Sequence, residues 1–414
     1  MMTNAQIDAV AARIEPELIA LRRQIHQHPE LAFEEHETAR AVAGYLASLG
    51  IRFKTGVGKT GVVGIVEGGV DGPTVGVRAD MDALPIEEAS GVAFASRVPG
   101  KMHACGHDVH TAIALGVAHA LSTVRHSLRG KVKLIFQPAE ETLSGAAAMI
   151  ADGVLDDPPL AAILGFHNSP RLDTGLVAYG EVLGHASSAA FDIVLKGRTG
   201  HAAHPHTAVD AIVGAAHLVT QLQTIASREI APAVPAVLTI GQIEGGVARN
   251  VIAERAILKG TARTRDPEAE KVVEDALRRI VAGLAASLRL EHELKWVRQT
   301  PVMRNDPDVL ARMVDAVRDI MGGHNVVKIS EPTMGSEDFA WFAERVPAAH
   351  LRIGSRIDGV DTAIHRSDYQ CNERAISIGV RAVTRVVLSL IEERSVSDRS
   401  SSQDQASAGS QGPR

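Results

Sequence analysis

The chain is predicted to be an α/β protein carrying a second, ferredoxin-like α+β unit as an insertion. Three observations predict this. Short β-branched runs alternate with helical spacing over residues 1–185. The order β-α-β-β-α-β follows over 186–296. Helix and strand then resume to about 394, and 414 residues is long for a single core.

Residues 7–27 place Val10, Ile14, Leu18, Leu21 and Ile25 at helical spacing, and 36–49 reads as a second helix closed by Gly50. Residues 62–67 and 74–78 are β-branched runs divided by Gly68-Gly69 and Asp71-Gly72-Pro73, so they read as neighbouring strands. Residues 109–121 are Ala-rich and helical, while 131–136 and 161–166 read as strands. Strands alternating with helices imply a sheet covered on both faces. Within the insertion, strands are expected at 191–196, 236–243, 255–261 and 291–296, with helices at 208–227 and 267–288. Helix returns at 306–321, strand at 351–354 and a last helix at 374–392. The expected division is 1–185 with 297–394 as one discontinuous domain and 186–296 as the other. Residues 395–414 are rich in Ser, Gln, Asp, Gly and Ala, bury little, and read as a disordered tail.

Composition excludes several classes. A net charge of -6 and 3% aromatic residues offer neither a basic face nor stacking platforms for nucleic acid. Two cysteines exclude a disulfide framework. No run approaches about 18 apolar residues, so no membrane span is expected. The N-terminus has no apolar h-region, and a cytoplasmic location is expected.

Five residues of metal-binding type, Cys105, His107, Glu141, His167 and His365, fall in short segments that read as strand ends or loops. His103-Ala104-Cys105-Gly106-His107-Asp108 offers a thiolate and an imidazole to one site; thiolate and imidazole favour zinc, and nearby carboxylates admit manganese, cobalt or nickel. The alternative for Cys105 is a small buried hydrophobe. Asp108 reads as the N-cap of the next helix. Glu140 precedes Glu141 directly. Adjacent carboxylates repel unless a cation is near, and one resolution is that one ligates metal while the other takes a proton from water. A solvated acidic turn is the alternative. Asp80 and Asp82 close a strand, where open α/β sheets bind ligands, although a polar turn before Pro85 fits equally. His201, His204 and His206 share a small-residue loop that suits a separate metal site or one His projected at a substrate. Asn250 stands on a glycine-flexed connection where a turn residue is also expected. Ser336 reads as an N-cap, with no catalytic role for 334–339.

At this point the chain resembles the di-metal aminoacylase and carboxypeptidase family, in particular its amidohydrolase branch. That branch includes hippurate hydrolase, N-acyl-amino-acid amidohydrolases and plant hydrolases of indoleacetyl-amino-acid conjugates. The resemblance spans residues 6–392 and rests on six ordered motifs: Arg22 to Leu31, Arg78 to Pro85, His103 to Asp108, Gln137 to Glu141, Gly200 to Pro205 and Met334 to Phe339.

The resemblance implies a mixed-sheet, aminopeptidase-like catalytic domain with an inserted dimerisation or lid domain. It implies two divalent metal ions (manganese, zinc, cobalt or nickel) on Cys105, His107, Glu141, His167 and His365. It implies Glu140 as general base and acid, and Asp82 as the carboxylate orienting a ligand imidazole. His201 resembles the histidine that reaches the partner subunit's site, and Asn250 a substrate contact, so a homodimer, or alternatively a homotetramer, through the inserted domain is implied. The implied reaction is hydrolysis of the amide of a small N-acyl-L-amino acid. The rivals are a metallo-dipeptidase or carboxypeptidase, an N-acetyl-diaminopimelate deacetylase, and, more remotely, a metal-stabilised binding protein without catalysis. Three positions depart from the wider family: Asp80 stands where a ligand His is frequent, Thr142-Leu143-Ser144 replaces a glycine-rich run, and Asn168 follows His167 where an apolar residue is common.

Overall fold

The computed structural model describes residues 2–180, 184–329 and 333–392, so the expected tail at 395–414 lies outside the described residues. Helices α1 (Asn4–Gln27) and α2 (His36–Ser48) lead into strands β1 (Arg52–Val57), β2 (Gly61–Glu67) and β3 (Val70–Asp80). There follow α3 (His107–Ser122), β4 (Arg129–Gln137), α4 (Gly145–Ala151), β5 (Ala162–Asp173) and β6 (Val177–Tyr179). Next come β7 (Ser188–Lys196), β8 (Gly200–His201), α5 (Ala211–Thr224), β9 (Ala236–Gly245), β10 (Val251–Ile252), β11 (Arg255–Thr264), α6 (Pro267–Ser287) and β12 (Glu291–Thr300). The chain returns through α7 (Pro307–Met321), β13 (Val326–Lys328), α8 (Ala340–Ala343), β14 (Ala348–Arg356) and α9 (Arg374–Ile391).

The larger sheet runs β1-β2-β4-β3-β5-β14-β6-β13. Its centre, β4-β3-β5-β14, is parallel; β1 pairs antiparallel with β2, β2 with β4 and β6 with β14, while the edge strand β13 pairs parallel with β6, so the sheet is mixed. Alternation along each strand feeds two cores. Leu134, Phe136, Ala162 and Leu164 pack with α1, α3, α7 and α9 on one face, while Ile135 and Ile163 pack with Met149, Phe339 and Phe342 on the other. Helix α3 is buried along nearly its whole length, which its small residues permit.

The smaller sheet is antiparallel, ordered β12-β7-β11-β9, with α5 and α6 against it and its own apolar core. Counting only its four strands in chain order, this is 4-1-3-2, the ferredoxin-like arrangement that the β-α-β-β-α-β order predicts. Strand β12 continues to Thr300, past residue 296.

Three local expectations are corrected. Strand β5 does not stop before His167 but runs on to Asp173, because Asn168 and Ser169 still pair with β14. Helix α3 starts at His107 with Gly106 as N-cap in a left-handed conformation, so Asp108 lies inside the first turn and bonds elsewhere. Ser336 caps nothing: the helix after it begins only at Ala340, and the Ser336 hydroxyl accepts from Arg263. Among the described residues no helix is long and apolar enough to cross a membrane.

Candidate metal centre

The carboxyl ends of β3, β4 and β5 converge, as expected for ligand sites in parallel sheets. Cys105, Glu140, Glu141, His167 and His365 line one cavity of about 300 Å³, and His107 stands behind them, fully buried. Glu140 and Glu141 leave β4 on a tight loop. Leu143 N–H donates to Glu140 O and Gly145 N–H to Ala139 O. Ala139 and Leu143, which bracket the two carboxylates, and His365 all have positive φ, a strain that clusters at functional sites. A Cβ at Gly145 would meet Pro138 O at 1.6 Å, so the loop closes only on glycine. Gly106, at φ +87°, likewise lies against Asn168 and Tyr369.

Hydrogen bonds assign the imidazole tautomers. His107 Nδ1 is 2.9 Å from Asp82 O, which can only accept, so Nδ1 carries a proton and Nε2 is the nitrogen that could offer a lone pair to a cation. His167 Nδ1 likewise donates to Asn168 O at 2.6 Å, leaving its Nε2 lone pair 3.3 Å from Cys105 Sγ. Asp82 fixes two segments at once: Oδ1 is 3.1 Å from His107 Nδ1, and Oδ2 accepts Glu141 N–H at 2.9 Å. That is how a carboxylate orients an imidazole ligand.

His107 Nε2 and Glu141 Oε1 are buried without a hydrogen-bond partner. Nε2 faces Asp80 Oδ2 at 3.7 Å, Glu141 Oε1 at 3.9 Å and Glu140 Oε2 at 4.0 Å. Glu141 Oε1 is 3.3 Å from His365 Nε2 but is not aligned for a hydrogen bond. Burial opposes charge on His107, yet Asp80, Asp82 and Glu141 push it up to about 10, so the surroundings favour a positive charge there. Burial, Glu141 and Glu140 push the Cys105 thiol well up; a cation beside it would favour the thiolate. The atoms of Cys105, His107 and His167 lie mutually within 4.8 Å, as do those of Cys105, Glu141 and His365, with Cys105 common to both groups. Soft, imidazole and carboxylate donors with orphaned lone pairs fit divalent cations.

Glu140 differs from its neighbours. Burial, then Glu337, Glu141 and Asp338, push its carboxyl well above the ordinary range. This is the direction a general base near neutral pH requires.

Sequence patterns did not reveal the buried frame beneath the site. Arg78 Nη1 donates to Asp80 Oδ2 (2.7 Å), Nη2 to Glu337 Oε1 and Asp338 Oδ1 (both 2.9 Å), and Nε to Gln137 Oε1 (2.8 Å). His110 Nε2 accepts from Asn168 N at 2.9 Å, so its Nδ1 donates to Asp80 Oδ1 at 2.5 Å. Asn168 also donates to Cys105 O at 2.9 Å and accepts from Tyr369 and Ser355. A charged residue inside the apolar strand β3 was the one available signal for this frame. Asp108 binds Arg22 at 2.6 Å and His26 at 2.8 Å, tying α3 to α1.

His201 and Asn250 are not brought to this cavity within the chain. They sit together on the β8–β10 ribbon, where Ala202 N–H donates to Asn250 O at 3.1 Å, and both are exposed.

Comparison with known proteins identifies the family. The family model "Peptidase family M20/M25/M40" matches residues 76–389. The N-acetylcysteine deacetylase of Bacillus subtilis is 37% identical over 376 residues, covering 91% of this chain and 97% of that protein. The N-acetyldiaminopimelate deacetylase of Bacillus cytotoxicus is 39% identical over 373 residues, covering 89% and 96%. The crystal structure of a dinuclear metal binding peptidase of the M20 family from Bacillus subtilis superposes with TM-score 0.79 at 34% identity, covering 92% and 99%. On a matched family model that spans most of its length, and on relatives aligned nearly end to end, the chain belongs to peptidase family M20/M25/M40 and is a hydrolase of that metallopeptidase family.

Proposed function

We propose that the enzyme hydrolyses the amide bond of N-acyl-L-amino acids, releasing a carboxylic acid and a free amino acid. The observation that carries this reading is Glu140, a buried carboxylate with raised proton affinity beside the orphaned lone pairs of His107 and Glu141. The names of two relatives, both deacetylases of N-acetylated amino acids, support the substrate class. Cys105, His107, Glu141, His167 and His365 would hold two divalent cations (manganese, zinc, cobalt or nickel). Bound there, they would lower the pKa of a water from about 15.7 towards about 7 and polarise the scissile carbonyl. Glu140 takes the proton of the attacking water and returns it to the leaving nitrogen. Asp82 holds His107 in the tautomer that aims Nε2 at the site.

On this reading His201 polarises the carbonyl from a partner subunit and Asn250 contacts substrate, with 186–296 as the dimerisation and lid domain. Their exposure on one ribbon supports it, as do the exposed apolar side chains of Ile212 and Val213 on α5 and Ile243 on the edge strand β9. Mixing Glu140→Gln and His201→Ala proteins should restore part of the activity by forming hybrid dimers. Absence of recovery after proven subunit exchange would refute the shared site.

The second reading, a metallo-dipeptidase, carboxypeptidase or N-acetyl-diaminopimelate deacetylase, shares every ligand and differs in the pockets. Stripping the protein with chelator should abolish activity, and single divalent metals should restore it. The restored enzyme should cleave hippurate or N-acetyl-L-methionine faster than a dipeptide. Cleavage of the dipeptide alone would hand the assignment to the second reading, and full activity after proven metal removal would end both.

A further inference from the structure

A second cavity, of about 360 Å³, lies on the larger sheet and shares no lining residue with the cavity of the metal centre. Its floor is the outer end of the sheet, strands β1, β2 and β4, on the face where Ile135 packs with Met149. One wall comes from the segment 152–158, which follows α4. Register aligns the floor in rows. Arg52 on β1, Ile65 on β2 and Lys133 on β4 form one row, and Lys54, Val63 and Ile135 form the next. Residues paired across strands share a face, and so do residues two apart on one strand, so Lys131 joins Lys133. Four cations thus line one concave surface on a chain whose net charge is -6.

These cations are poorly matched. Only two carboxylates, Asp152 and Asp157, line the cavity with them, and Asp152 accepts Gly58 N–H at 2.7 Å. Glu67, paired with Lys131 across the strands, is engaged by Arg52 at 2.7 Å. Among the described residues Lys54, Lys131 and Lys133 have no carboxylate within ion-pair distance. Lysine on an edge strand protects against pairing with another sheet, which accounts for Lys54. It does not account for Lys133. That residue stands two strands in from the edge and is 1% exposed, and its ammonium has one partner, Val154 O at 2.7 Å. An ammonium has three donors. Burial presses against the Lys133 charge and lowers its proton affinity, and Asp157 and Asp156 offset that only in part. A buried charge with donors to spare is costly unless a counter-charge meets it.

We propose that this cavity binds a small organic anion with two or more negative charges, of the phosphate-ester or polycarboxylate class, with Lys133 as the buried anchor and Lys54 and Lys131 at the rim. Point charges on strands spaced about 4.8 Å apart suit a ligand whose charge is spread over several oxygens. Val63 and Ile65, between the cations, offer an apolar floor to its carbon skeleton. Lys131 and Lys133 lie in the first half of β4, whereas Glu140 and Glu141 follow its end. The inference therefore does not depend on the reaction proposed above.

The test uses the full-length, metal-bound protein and two probes, glycerol 3-phosphate and propane-1,2,3-tricarboxylate, with acetate as the singly charged control. Calorimetry at low ionic strength should show saturable binding of at least one probe below about 10 mM. Binding should weaken as sodium chloride rises from about 20 to about 200 mM. Lys133→Met should weaken it roughly tenfold, the scale of one hydrogen bond to a charged group. A double variant, Lys54→Gln with Lys131→Gln, should show a comparable loss without touching the core, so it reads the site even if Lys133→Met folds poorly. Both proteins should keep wild-type metal content, and an anion held at the metal centre would survive in both. The tighter of the two probes tells phosphate esters from polycarboxylates.

Failure of both probes to saturate below about 10 mM would overturn the proposal. So would acetate binding as tightly as either probe, or a probe affinity that neither variant lowers.

Discussion

Glu140→Gln is expected to lower kcat by about 10²- to 10⁴-fold, the span of a lost general base. Bound metal and melting temperature should stay near their wild-type values. Glutamine keeps the shape of the side chain and removes only the ability to take a proton. The site is already crowded with negative charge: Glu337, Glu141 and Asp338 all raise the Glu140 carboxyl. Neutralising one member of that group relieves repulsion, so no stability loss is expected on electrostatic grounds. Metal analysis of the purified variant makes the result decisive. Glu140 also falls in a compact group with His107 and Glu141. If metal content fell in step with turnover, Glu140 would be a ligand and the proton-transfer role would be lost.

Arg78→Met is expected to destabilise the protein by roughly 3–5 kcal/mol, as when one partner of a buried ion pair is removed. The guanidinium is fully buried and is matched by Asp80, Glu337 and Asp338. Methionine fills much of the volume, so the loss is mainly the stranded charge. The pH dependence follows from Asp338. Burial pushes its carboxyl up to about 7 even with Arg78 present. A carboxyl raised in the folded state holds its proton where the unfolded chain has released it, so stability falls as pH rises from about 4 towards that value. Without Arg78 the carboxyl rises further, and the deficit of the variant should be smaller at pH 5 than at pH 8. Urea midpoints at the two pH values check this. An unchanged midpoint, or a deficit that grows in acid, would mean that Arg78 does not hold the frame.

The two variants also separate layers of the site that a single sequence reveals unequally. Cys105, His107, Glu141, His167 and His365 were legible because each carries a metal-binding side chain in a short segment near a strand end or loop. Glu140 was legible because two adjacent carboxylates require a reason. The ferredoxin-like unit was legible from the order of its periodic segments, and the observed strand order agrees with it. These are local features, set by side-chain period and turn chemistry within a few residues.

Convergence over long distances was not legible. Glu337 and Asp338 looked like the start of a helix, since an acidic pair after Ser and before an apolar run usually caps one. Their partner Arg78 is 259 and 260 residues away. Asn168 appeared only as a departure beside His167, yet it joins His110, Cys105, Ser355 and Tyr369 in one buried network. Lys133 gave no signal in an ordinary strand; the register that sets it beside Ile65 spans 68 positions. Residue types and their local spacing therefore determined which chemistry this chain can perform and which elements carry it. Strand order and register decided which groups meet, because pairing between distant strands depends on the packing of whole faces, which no short window of sequence contains.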